Sequence, residues 1–153
     1  MPLTVAKPRS LWEDRFGRPS VDDLLDGCPR TALPLIEHAR TKLCAAKNVS
    51  EQLAWQGIPW RWTLTYCHLD DMDRAYAYLV PDPCKPRLVV PFLLKTLNEI
   101  SLKKFSKVTR DAILHGTVVG SVNWCQWELL TKPGTDEILA LAELKMSVLA
   151  APK

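Results

Sequence analysis

The sequence predicts an α+β domain of two layers, a mostly antiparallel sheet of four to five strands with helices packed on one face. Three observations predict it. Apolar residues recur at helical spacing over 31–47 and again from 135 onward. Between them, from Trp60, the apolar period drops to two, the period of a strand. The first three strands are joined by short polar connections, which suits an antiparallel meander. The chain has 153 residues, 47% of them hydrophobic and 24% charged, the composition of one ordinary globular domain. A domain of that length buries roughly 70% of its unfolded surface and needs no staples.

Taken in order, residues 1–19 carry Pro2, Pro8 and Pro19 and no apolar period. They read as an irregular arm in which Leu11, Trp12 and Phe16 dock on a single domain spanning 20–153. Ser20 is a side-chain cap for a short helix over Val21–Asp26, with Asp22 and Asp23 at its positive end and Gly27 as its stop. Leu35, Ala39 and Leu43, with Ile36 beside them, mark a long helix over 31–47, while Glu37, Arg40, Lys42 and Lys47 fall mostly on its other faces. Trp60, Leu64 and Tyr66, with Trp62 between them, share one face of the first strand. His68–Arg74 is a polar connection, and Ala75–Val80 is a second strand with Tyr76 and Tyr78 on one face. Arg87–Leu94 is a third strand, apolar on both faces, although Pro91 within it asks for an edge or a bulge. Leu97–His115 reads as mainly helical, ending at Gly116, and Thr117–Leu130 as a fourth strand bent at Gly120. Lys132–Gly134 is a turn, Thr135 caps the last helix, and Ile138, Leu141, Leu144 and Val148 form its apolar stripe.

Charge and cysteine usage narrow the function classes. Twenty basic and 17 acidic residues leave a net charge of +3, too little to imply nucleic acid or an anionic membrane. No apolar run approaches the ~20 residues of a membrane span. The N-terminal stretch has charges where a secretory signal would have an apolar segment. Cys28, Cys44, Cys67, Cys84 and Cys125 are odd in number and none forms a C-x-x-C pair. They read as reduced, mostly buried thiols, and a cytoplasmic protein is expected.

The stretch Gly57-Ile-Pro-Trp60-Arg-Trp62-Thr-Leu64-Thr-Tyr66, followed by Ala77-Tyr78-Leu79-Val-Pro81, resembles a small bacterial family of uncharacterised proteins, domain of unknown function family 3788. The similarity runs on through Ile113-Leu-His-Gly116 and Trp124-Cys-Gln-Trp127-Glu128 to a final helix with Ile138, Leu141 and Lys145. It covers roughly residues 55–149. Where the family carries a Gly-containing turn after the third strand, this chain has Phe92-Leu-Leu-Lys-Thr96. The resemblance implies a compact α+β domain and supplies no catalytic residue.

Five tryptophans (Trp55, Trp60, Trp62, Trp124, Trp127) and three tyrosines fall in the sheet region. Most such rings belong to a core, yet indoles and phenols also line pockets, each with an apolar body and one polar handle. Trp60, Trp62, Tyr66, Tyr78, Arg87 and Trp127 are therefore the candidate ligand-binding residues, for a small, partly apolar ligand. Cys67, His68, Asp70, Asp71 and Asp73 are possible metal donors, but the calcium-loop pattern fails, and a charged hairpin loop is the better reading. Lys85, Arg87, Lys95, Lys103, Lys104, Lys107 and Arg110 face a single acid, Glu99, over 85–110. RNA-binding signatures are absent, so this is read as a solvated face and nucleic acid is not expected. No catalytic residue, metal or cofactor is expected, and a non-enzymatic binding or interaction module is the leading reading. The alternatives are a homodimer or larger oligomer built on the uncovered sheet face or an edge strand, an enzyme using the His68 loop, and a single-strand nucleic-acid binder.

Overall fold

A computed structural model describes residues 11–46, 48–68 and 71–150. A 3-10 turn over Leu11–Glu13 leads to α1 (Val21–Asp26) and α2 (Leu33–Ala45). Four antiparallel strands follow: β1 (Val49–Trp55), β2 (Trp62–His68), β3 (Asp71–Val80) and β4 (Arg87–Leu93). Then come α3 (Leu94–Glu99), α4 (Lys107–Leu114), the hairpin of β5 (Thr117–Val119) and β6 (Val122–Glu128), and α5 (Lys132–Ala150). The α+β class is as expected, but among the described residues the sheet has six strands rather than four or five, in the order β1-β2-β3-β4-β6-β5.

Local chemistry explains the boundaries. Ser20 and Asp23 form a reciprocal capping box at α1. The expected helix over 97–115 is two helices. Ser106 caps α4 by accepting from the Thr109 N–H, while the Ile100 N–H bonds back to Leu97 and closes α3. The last helix starts four residues earlier than expected. Thr131 is its cap, with Oγ1 accepting from Gly134 N–H at 3.1 Å, and Pro133 sits in the first turn, where its missing N–H costs nothing. Thr135 instead donates its hydroxyl to the Thr131 carbonyl. The single bent strand expected over 117–130 is a hairpin, because Gly120 takes φ +61° at its turn. The Phe92–Thr96 segment makes no turn, and α3 begins directly at Leu94.

Register assigns the faces, since paired residues share one. Leu64, Tyr66, Leu79, Leu88, Val90, Phe92, Cys125 and Trp127 lie on the first face, buried in one core with Ile36, Ala39 and Leu43 of α2 and Ile138, Leu141 and Ala142 of α5. The second face is not bare. Trp12 and Leu24 are buried there against Val80 and Val89, with Trp60, Trp62, Tyr78 and Trp124 packed around them. Of the three arm residues expected to dock, only Trp12 does. Leu11 is half-exposed and Phe16 is 87% exposed.

One irregularity sets the rest. The β2–β3 register slips between Tyr66 and His68, so Tyr66 faces Ala77 while Cys67 faces Ala75. Tyr76 occupies the bulge and turns into the first face, where its hydroxyl donates to the Leu43 carbonyl at 2.9 Å. β3 then pairs with β4 only from Tyr78↔Val89 to Val80↔Arg87. Pro91 lies past that ladder, on the stretch where β4 pairs with β6 alone. This settles its apparent conflict with an interior strand. The gap is closed from α5. Lys145, 7% exposed, donates to the Tyr76 carbonyl at 3.0 Å and to the Pro91 carbonyl, with its ammonium 5.7 Å from the Phe92 ring.

Candidate functional site

The second sheet face carries an aromatic shelf. The β1–β2 connection, with its cis Ile58–Pro59 bond, brings Trp60 over the sheet. Its ring lies 5.0 Å from Tyr78 on β3 and 5.8 Å from Trp124 on β6, and Tyr78 and Trp124 are 5.9 Å apart. The pairs are tilted or edge-to-face, the arrangements that ring quadrupoles prefer. All three rings are half-buried. Desolvation, with the nearby Cys67 thiol, raises the Tyr78 phenol above its ordinary value, so it stays a neutral donor.

A polar border surrounds the shelf. Trp12, 7% exposed, is the ring beneath Arg61, whose guanidinium carbon stands 5.2 Å above it. Arg61 also pairs with Glu13 at 3.3 Å. Among the described residues the Trp12 indole N–H meets no acceptor. Arg87 lies on the same face, almost buried, bonded to Asp82 at 3.2 Å and to the Lys85 carbonyl. Gln126, opposite Val89, is exposed.

The six residues expected to form a site do not all meet. Trp60 and Tyr78 do, and Arg87 flanks them on the same face. Tyr66 is fully buried on the first face, its hydroxyl 2.6 Å from the Glu51 carboxylate. Trp127 is also on that face, 4% exposed, with Nε1 donating to the Thr109 carbonyl. Trp62 stands at the end of β2, edge-on to Trp55 at 5.7 Å, and its indole donates to the Asp14 carbonyl at 2.7 Å. Tyr76 and Tyr78, expected on one face, are divided by the bulge. Trp124 completes the shelf. Its place follows from Trp127, since an odd spacing puts the two on opposite faces of one strand.

On the first face, Glu51 of β1 collects Arg40 of α2 through two nitrogens, at 3.1 and 2.9 Å, and the Tyr66 hydroxyl. Burial alone would raise its carboxyl, but the Arg40 and Tyr66 hydrogen bonds and the Arg40 charge outweigh that and hold it below the usual range. Burial and the Glu51 carboxylate push the Tyr66 phenol far up. This cluster fastens α2 to β1. Two shallow clefts also lie away from the shelf. One of about 290 Å³ between α2 and α5 is lined by Leu43, Tyr76, Leu139 and Ala142. The other, of about 450 Å³, lies beside Asp26, Cys28, Pro34 and Glu37.

The other sequence candidates do not converge on a chemistry. Among the described residues no three His, Cys, Asp or Glu side chains gather as a metal site. Cys67 is buried on the second face and His68 ends β2, while Asp70 lies outside the described residues, as do the side chains of Asp71 and Asp73. All five cysteines are free. Cys28, Cys67 and Cys125 are buried, and burial pushes Cys28 up to about 11 and Cys125 up to about 12, the thiol rather than the reactive thiolate. The basic residues of 85–110 are spread over two loops, β4, α3 and α4, and Arg87 is already paired. No described helix is long and apolar enough to cross a membrane. No family model, no curated protein and no solved structure matches the chain.

Proposed function

We propose that this chain is a non-enzymatic binding module that takes a small, partly apolar ligand on the Trp60–Tyr78–Trp124 shelf. The observation that carries the reading is three half-exposed rings in mutual contact on one sheet face. Rings of this kind give large contact area at little cost in conformational entropy. Both nearby arginines already have carboxylate partners, which favours a ligand without net charge. The odd cysteine count without C-x-x-C spacing fits work in the cytoplasm. The resemblance to domain of unknown function family 3788 is consistent with the α+β class and adds no residue to the site.

The test is a metabolite-library thermal-shift screen, followed by titration of tryptophan fluorescence with each stabilising compound. Hits should bind the Trp127→Phe and Tyr66→Phe proteins as they bind the parent, and lose at least about tenfold in affinity to Trp60→Ala and Trp124→Ala. Binding that survives both shelf substitutions, or a screen without a hit, removes the reading. A second reading is an interface with another protein molecule. It is favoured by Val118 and Val119 of β5, 54% and 61% exposed, on the strand paired with that of Trp124.

A further inference from the structure

The outer edge of the sheet at β1 offers a different kind of recognition. β1 pairs with β2 through all seven of its residues, Val49↔His68 to Trp55↔Trp62, with no bulge. It holds no proline and no lysine, and among the described residues no strand lies on its other side. Sheet edges are ordinarily blunted by short strands, bulges, prolines or outward lysines. The opposite edge, β5, is blunted in this way, being three residues long. β1 is not.

The direction of the main-chain groups on β1 follows from one bond. The Gln56 N–H donates to the Arg61 carbonyl at 2.8 Å, so position 56 faces β2. Alternation then turns Ala54 and Gln52 inward as well, and turns Glu51, Leu53 and Trp55 outward, each with an N–H and a C=O. The Gln52 side chain is exposed.

We propose that β1 pairs with β1 of a second copy of this chain, antiparallel about a two-fold axis at Gln52. Three features select this occupant and this register. Centred on Gln52, the pairing spans the strand and forms about six ladder hydrogen bonds from groups facing outward, the Val49 N–H being already donated to the Ala46 carbonyl. Glu51 is the one ionisable residue of β1, and its charge is already met by Arg40 at 2.9 Å. In this register it faces the partner's Leu53, whereas a register centred on Glu51 would set two carboxylates against each other. The strand is also self-complementary, since Val49 meets the partner's Trp55 at both ends. A two-fold axis normal to the sheet leaves both aromatic shelves on the same side of a twelve-strand sheet.

At the axis, Gln52 and the partner's Gln52 form a non-hydrogen-bonded pair, the kind in which facing side chains come closest. That makes the test specific. The full chain should have the mass of a dimer by light scattering. Gln52→Lys and Gln52→Glu should each weaken the dimer at least about tenfold, because like charges meet at the axis. Each should keep the parent's circular dichroism and melting temperature at a concentration where all are monomers. An equimolar mixture of the two should return to dimer mass. A monomeric parent, variants that stay dimeric, or a mixture that fails to re-form the dimer each overturns the proposal. A dimer broken by Trp124→Ala and untouched at Gln52 does so too, and assigns the contact to the shelf instead. The readout is mass, so either result leaves ligand binding at the shelf to be judged separately.

Discussion

Lys145→Met should change how stability depends on pH. The ammonium sits in the gap between β3 and β4, held by the Tyr76 and Pro91 carbonyls and 7% exposed. Burial lowers it from its ordinary 10.5 to about 7, outweighing the opposing pull of the neighbouring Cys125. Between those two values the unfolded chain binds a proton that the folded chain has released. Stability therefore rises with pH across that window, by about 1.4 kcal/mol per pH unit and about 5 kcal/mol in all. The contribution is complete above 10.5 and lost as pH falls to about 7. Methionine keeps the apolar stem and removes the titration, while stranding two carbonyls at about 1–3 kcal/mol each. At pH 7 the desolvation relieved and the hydrogen bonds lost are of similar size, so the two proteins should differ little. By pH 9 the variant should be the weaker by about 2–3 kcal/mol. Denaturant unfolding followed by tryptophan fluorescence at pH 7, 8 and 9 measures this. The raised Tyr66, Tyr76, Cys28 and Cys125 oppose the trend in alkali, since the unfolded chain ionises them first. Tyr66, Tyr76 and Cys28 are common to both proteins and cancel in the difference, whereas Cys125, which Lys145 pulls down, rises further in the variant and stays a thiol in the folded chain across this range. Parallel stability curves would refute the assignment of a neutral-range titration to Lys145.

Gly116→Ala should destabilise the fold by about 2–4 kcal/mol in the same unfolding assay, because a Cβ there lands on Asn123 Oδ1 and 3.0 Å from the Trp124 carbonyl. Tyr66→Phe should cost about 1.5–3 kcal/mol at neutral pH through loss of the 2.6 Å bond to Glu51. Because Glu51 is held below the usual range, its contribution is present above that range and lost as acid protonates it, so acid titrations of Glu51→Gln should lack part of the parent's stability loss. Trp127→Ala should cost about 3–5 kcal/mol by thermal or chemical unfolding, since it empties a fully packed site. Trp124→Ala should cost roughly half as much, and an equal loss would mean that Trp124 is core rather than shelf.

The α+β class, the capping of α1 and the meander were legible because each rests on local chemistry. Ser20 with Asp23 caps a helix wherever it occurs, and two-residue alternation makes a strand. β1 was not legible. The side it turns to the core alternates Val49, Glu51, Leu53 and Trp55, all only half-buried, and the charge in the middle is tolerated because Arg40, eleven residues earlier, reaches it. The site was half legible for a similar reason. Aromatic content pointed to the right strands, but a one-residue slip at Cys67 decided which tyrosine turned outward. No period in Ala75–Val80 announces that slip. Trp127 and Tyr66 looked like ligand contacts because a sequence shows ring chemistry without showing what roofs it.

The strand order has a consequence for synthesis. β4 is apolar on both sides, and its neighbour β6 is made some thirty residues later, after α3 and α4. Until then the growing polypeptide presents a long, sticky ribbon with one flank unpaired. A truncated product ending before β5 would keep that flank indefinitely, and we expect such fragments to accumulate as insoluble aggregates or to engage chaperones.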